Sequence, residues 1–93
     1  MSSPSVCTRE VIVNLENGLH MSPSAQIVQT AQAYPCEVLI RKGDKAVDGK
    51  SMLDVLTLAA EKGSTLVLEA SGEQAEEAIE ALDQLFKTNF TAG

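Results

Sequence analysis

The chain has 93 residues, 44% of them hydrophobic and 22% charged, which suits one domain built around one modest core. A net charge of −6 argues against a nucleic-acid or anionic-membrane partner. No apolar run approaches the roughly 18 residues that span a bilayer. Met1–Ser5 lacks the apolar middle of a signal peptide, so the expected location is cytoplasmic, with no membrane insertion.

Met1–Ser5 reads as a loose tail of a single domain over residues 1–93. Val6 to Leu15 reads as a strand, with Val11, Val13 and Leu15 on one face and Glu10, Ile12 and Asn14 on the other. Glu16-Asn17-Gly18 breaks it, because Asn and Gly both tolerate the positive φ of a turn. A helix follows, to about Ala33, with Ala25, Val28 and Ala31 on one line and Ile27 and Tyr34 beside it. Pro35 stops it. Cys36, Val38 and Ile40 alternate with Glu37, Leu39 and Arg41 in a second strand, and Lys42-Gly43-Asp44 turns into a short third one, Lys45 to Asp48.

Ser51-Met52-Leu53-Asp54 fits a capping box, with Met52, Leu53, Val55, Leu56 and Leu58 in the short helix behind it, and Lys62-Gly63 ends this region. Ser64 to Ala70 is a fourth strand with Leu66, Leu68 and Ala70 toward the core. Ser71-Gly72-Glu73-Gln74 again has capping-box form. The last helix buries Ala75, Ala78, Ile79, Leu82, Leu85 and Phe86 and turns Glu76, Glu77, Glu80, Asp83 and Lys87 to water. The order is therefore β-α-β-β-α-β-α. Helical crossovers make the strands they join parallel, and the hairpin makes strands two and three antiparallel. That gives a two-layer sandwich with helices on one face. Two sheet orders satisfy these rules: a ferredoxin-like 4-1-3-2, and 1-4-2-3.

Chemistry points to one residue. His20 is the only histidine, and it stands between a turn and a helix start. Unpaired amides and the positive end of a helix dipole meet there, which suits an anion. The same dipole end disfavours an imidazolium and leaves a nucleophilic ring. A phosphoryl group accepted by that ring would lie where backbone donors already point. A lone histidine near a helix start is, however, more often a cap or a surface residue. Cys7 and Cys36 lack metal-ligand spacing and read as reduced, partly buried thiols; no metal and no cofactor is expected.

Asn17-Gly18-Leu19-His20 with Pro23 and Ala25 resembles the active-site segment of the HPr family, the histidine-containing phosphocarriers of the sugar phosphotransferase system. The likeness continues through Gly49-Lys50-Ser51-Met52-Leu53, Lys62-Gly63 and Ala70-Ser71-Gly72, and covers Glu10 to Phe90 in the family's element order. It implies an α+β, open-faced sandwich with antiparallel sheet order 1-4-2-3 and three helices on one face. It implies further that His20 takes phosphate on Nδ1 from phosphorylated enzyme I, fed by phosphoenolpyruvate, and passes it to A-type components of enzyme II. The protein would thus be a covalent carrier and no enzyme. On helix start the residues and the family differ. The residue before a proline avoids the α region, which favours Ser22 as N-cap. The family starts its helix directly after the histidine.

The chain departs from the family where charge matters. Ser22 stands at the place of the usual active-site arginine, and Gln29 and Gln32 at those of two helix lysines. Met21 and Ser22 would then hold the phosphate through the helix N-terminus, and steering toward an acidic enzyme I would weaken. Met21, Met52, Leu53 and Leu56 could form an apolar rim for a partner, unless Leu53 and Leu56 are simply core. Ser51 matches the site that a serine kinase/phosphorylase modifies in some relatives; the plain alternative is an N-cap serine. Three functions compete: a phosphocarrier, a regulatory interaction protein of the same fold controlled through Ser51 or His20, and a ferredoxin-like ligand-binding module. A monomer is expected.

Overall fold

The structure, a computed structural model, describes residues 6–91. The expected loose tail lies outside them. Seven elements follow in order: β1 (Val6–Ile12), α1 (Met21–Gln32), β2 (Glu37–Lys42), β3 (Lys45–Asp48), α2 (Met52–Thr57), β4 (Thr65–Ser71) and α3 (Ala75–Lys87). The sheet order is β1-β4-β2-β3, with every neighbouring pair antiparallel. The ferredoxin-like alternative, with β1 against β3, is therefore wrong. Hydrogen bonding settles what alternation alone could not, since both orders place the same residues inside.

Alternation explains the layers. Val11, Val38, Ile40, Leu66, Leu68 and Ala70 are buried on the helix-covered face. The intervening residues line the open face, where Ile12 is 59% exposed and Arg41 Nε donates to Glu69 at 2.9 Å. The hairpin between β2 and β3 pairs Lys42 with Lys45, and Gly43 takes the positive φ, +58°, that so short a loop needs. α3 packs Ala75, Ala78, Ile79, Leu82 and Phe86 into the core, while Leu85 is half-buried.

Several boundaries differ from expectation for local reasons. The β1 ladder ends at Ile12↔Thr65, although Val13 stays buried and bonds outside it to Gly63 and Ser64. α2 ends at Thr57 with Leu58 as its cap, because Ala59 takes a left-handed φ of +48°. Ser71 is no helix cap: it closes β4 opposite both Val6 and Glu37, and Gln74, at φ +64°, caps α3 without a side-chain bond.

Asp83 also departs from its expected place on the water face. It is 5% exposed; Oδ2 accepts from Arg9 Nη1 at 2.7 Å and is ion-paired with Lys87 Nζ 3.1 Å away. A carboxylate this buried needs such partners. Arg9 reaches it from β1 and also donates to Glu80 at 3.0 Å, so the guanidinium locks the edge strand to α3. The bond to Glu80, with Asp83 adding, holds the Arg9 pKa above its ordinary value against some desolvation.

Candidate functional site

His20 is the N-cap of α1 and is exposed. Its backbone is extended (φ −80°, ψ −164°), and its side chain makes no capping bond, which leaves the ring free at the helix end. The His20 carbonyl accepts the Ser24 amide at 3.1 Å, the first bond of the helix. The helix therefore starts directly after the histidine, and Ser22 is a first-turn residue, not the cap. Pro23 is tolerated there because a third-position amide has no intrahelical acceptor to lose. Only Met21 and Ser22 then contribute free first-turn amides. Ser22 is exposed, so its hydroxyl can join them.

The approach to His20 is rigid. Leu15 and Gly18 close a turn whose amide–carbonyl distance is 3.0 Å, with Glu16 and Asn17 at its centre and only Gly18 at positive φ. A Cβ on Gly18 would stand 2.3 Å from the Ala60 carbonyl oxygen, so no other residue fits without movement. The Leu19 side chain is buried, and its amide donates to Ala60 at 2.9 Å. Its carbonyl accepts from the fully buried Ser24 hydroxyl at 3.1 Å. Sequence reasoning missed Ser24; the available signal was a small polar residue beside the apolar line of the first helix.

α1 and α2 run antiparallel. The start of α1 meets the segment leaving α2 through Leu19 and Ala60, and the end of α1 meets the segment entering α2, where Gln32 Nε2 donates to Lys50 O at 3.1 Å. Together they present Met21, 66% exposed, and Leu53, 76% exposed, with Met52 and Leu56 half-buried. Leu53 is thus not core, and Val55 is the residue that α2 buries fully.

Ser51 caps α2, accepting the Asp54 amide on Oγ at 3.3 Å. The reciprocal half of the capping box is missing, because the Asp54 carboxylate accepts from the Asp48 amide at 3.2 Å. Cys36 is buried and Cys7 half-buried, both as free thiols, and no cluster of three metal-ligating side chains occurs among the described residues.

Charge at this end is unusual. Neither α1 nor α2 contains a lysine or arginine, and Asp54 is their only charged residue. The chain's seven cations are all engaged within the protein. Arg9, Arg41, Lys62 and Lys87 pair with carboxylates. Lys42, Lys45 and Lys50 donate to the carbonyls of Leu58, Thr57 and Tyr34. Lys42 and Lys45 thereby satisfy the carbonyl end of α2.

The comparisons bear on this geometry. The PTS-HPr family model, described as the PTS HPr component phosphorylation site, matches residues 7–88. The phosphocarrier protein HPr of Pseudomonas aeruginosa is 41% identical over 85 residues, which cover 90% of this chain and 94% of that protein. The HPr-like protein Crh of Halalkalibacterium halodurans is 39% identical over 74 residues, covering 80% and 88% respectively. The crystal structure of HPr-C-His from Thermoanaerobacter tengcongensis superposes with a TM-score of 0.89 at 31% identity, covering 94% of this chain and 98% of that one. Fold, exposed helix-capping histidine and family match define the class, a carrier component of the phosphotransferase system. The chain belongs to the HPr family.

Proposed function

We propose that His20 is the phosphoryl acceptor of this carrier. The observation that carries the reading is its position: an exposed ring at an N-cap, unoccupied by capping, beside the amides of Met21 and Ser22. A ring nitrogen attacks the phosphorus of phosphorylated enzyme I; the new N–P bond forms as the donor's bond breaks. The group then passes to an A-type enzyme II component, and no metal is required of this chain. These steps place the protein in the cytoplasm, where phosphoenolpyruvate supplies the cascade, and a monomer suffices for them. Incubation with enzyme I and radiolabelled phosphoenolpyruvate tests the reading. It predicts acid-labile label on the wild type and none on His20→Ala; label retained on that variant rejects His20.

The lack of any lysine or arginine on α1 and α2 favours a second reading, in which the protein serves regulation and hands little phosphate to sugar transporters. Phosphorylation at Ser51 by a serine kinase/phosphorylase would be its control. That modification would put about two negative charges against Asp54 and the docking face with little refolding. Rapid transfer from the phosphorylated protein to an enzyme II component rules this reading out.

A further inference from the structure

We propose that Ser24 is a positioning residue for phosphoryl transfer at His20, its buried hydroxyl fixing the peptide from which the histidine hangs. The inference rests on His20 being the acceptor. Among the described residues only Ser24 and Asp83 are both buried and polar or charged. Asp83 ties α3 to the edge strand, whereas Ser24 is spent on the backbone at the histidine. A serine inside a helix ordinarily bonds the carbonyl four residues back, which here is that of His20. The Ser24 amide takes that carbonyl at 3.1 Å, and the hydroxyl donates instead to Leu19 O, also at 3.1 Å. One residue thus holds the carbonyls on both sides of the His20 Cα.

Those two carbonyls set the two backbone angles that aim the ring. The Leu19–His20 peptide governs φ of His20, and the His20–Met21 peptide governs ψ. The second peptide is held by the first bond of the helix, as in any helix. The first has no such partner, because the residue four positions after Leu19 is Pro23, which has no amide hydrogen to give. The Ser24 hydroxyl fills that gap. The other restraint on the same peptide is the His20 amide on Gly18 O at 3.0 Å, which closes only a three-residue turn. Aim matters more here than usual. Phosphoryl transfer relies on positioning and on charge stabilisation, and α1 and α2 offer no lysine or arginine to compensate for misaligned amides of Met21 and Ser22.

The test compares Ser24→Ala with Val55→Ala, a control that loosens the core from α2 and leaves the start of α1 alone. Initial rates of transfer from the phosphorylated enzyme I of the same organism are measured below the melting range of both variants. Proton–nitrogen correlation spectra are recorded before and after phosphorylation. Ser24→Ala lowers kcat roughly 3- to 10-fold and leaves KM unchanged, because every exposed side chain is intact while the ring loses its aim. The shifts of the Met21 and Ser22 amides on phosphorylation shrink in the same variant. Val55→Ala keeps the wild-type kcat and the wild-type shifts. If Ser24→Ala keeps them too, or if Val55→Ala loses kcat equally, the inference is wrong while the carrier reading stands. If wild type takes no phosphate at all, both fall together.

Discussion

The amide of Leu19 donates to the carbonyl of Ala60 at 2.9 Å, so the residue that precedes His20 is held by the segment leaving α2. One hydrogen bond thus couples the candidate acceptor to the helix that carries Leu53. Gly18 makes the bond possible by letting the chain pass that carbonyl at a distance no Cβ allows.

Gly18→Ala should therefore be strongly destabilising. The residue sits at φ +67°, and an added Cβ would meet the Ala60 oxygen at 2.3 Å. Left-handed strain costs about 1–2 kcal/mol, and steric displacement of backbone adds to it. In a domain of this size about 1 kcal/mol moves Tm by roughly 4–8 °C, so calorimetry should show a loss of about 10 °C or more. A Tm within a few degrees of wild type would mean that the loop yields easily. Phosphate acceptance should fall as well, because His20 moves with the loop.

Ser24→Ala separates stability from placement. The buried hydroxyl gives one hydrogen bond to Leu19 O, and its removal costs about 0.5–1.5 kcal/mol by urea denaturation. The larger effect expected is on the Leu19–His20 peptide, whose orientation loses a restraint. Phosphohistidine hydrolysis should accelerate in the variant. An unchanged lifetime with the predicted loss of stability would leave Ser24 a packing residue only.

Replacing Asp83 by alanine should cost about 1–3 kcal/mol, since a buried carboxylate hydrogen-bonded to Arg9 and ion-paired with Lys87 is lost. Arg9 adds a pH prediction of definite sign. Its folded-state pKa is raised above the ordinary guanidinium value, chiefly through Glu80, so its contribution is fully present below that ordinary value and is lost only as pH rises through the higher folded one. Stability from this group is accordingly flat between neutral pH and mild alkali. A loss of Tm between pH 7 and 10 that disappears in Arg9→Met would contradict it.

The strands and the last helix were legible because alternation and helical spacing report burial directly: Val38 and Ile40, or Ala78 and Leu82, are where periodicity puts them. The strand order was not, since 1-4-2-3 and 4-1-3-2 bury the same faces, and the family resemblance chose between them correctly. Ser71 and Asp83 show two limits of local pattern. A capping signature cannot compete with two strand partners, and a charged residue can be buried when its cations arrive from β1 and from one turn further along α3. His20 could be found from its uniqueness and its turn, yet the segment that holds it is tied down by Ala60, forty residues away, and by the Ser24 hydroxyl, whose burial no spacing rule announces.

Leu53 and Val55 offer the clearest separation of docking from folding, two positions apart on one short helix. Val55 is fully buried, and Val55→Ala should cost about 2 kcal/mol through lost apolar contact and the space left behind. Leu53 is 76% exposed, and Leu53→Ala should change stability by less than about 0.5 kcal/mol. On transfer the order reverses. With the apolar rim as docking surface, Leu53→Ala raises the KM for transfer from enzyme I several-fold and leaves kcat nearly unchanged, because His20 and its amides are untouched. Val55→Ala, assayed below its melting range, alters KM little. Thermal denaturation and initial-rate transfer on the two variants check the crossing, and an unaltered KM in Leu53→Ala would remove that leucine from the docking surface.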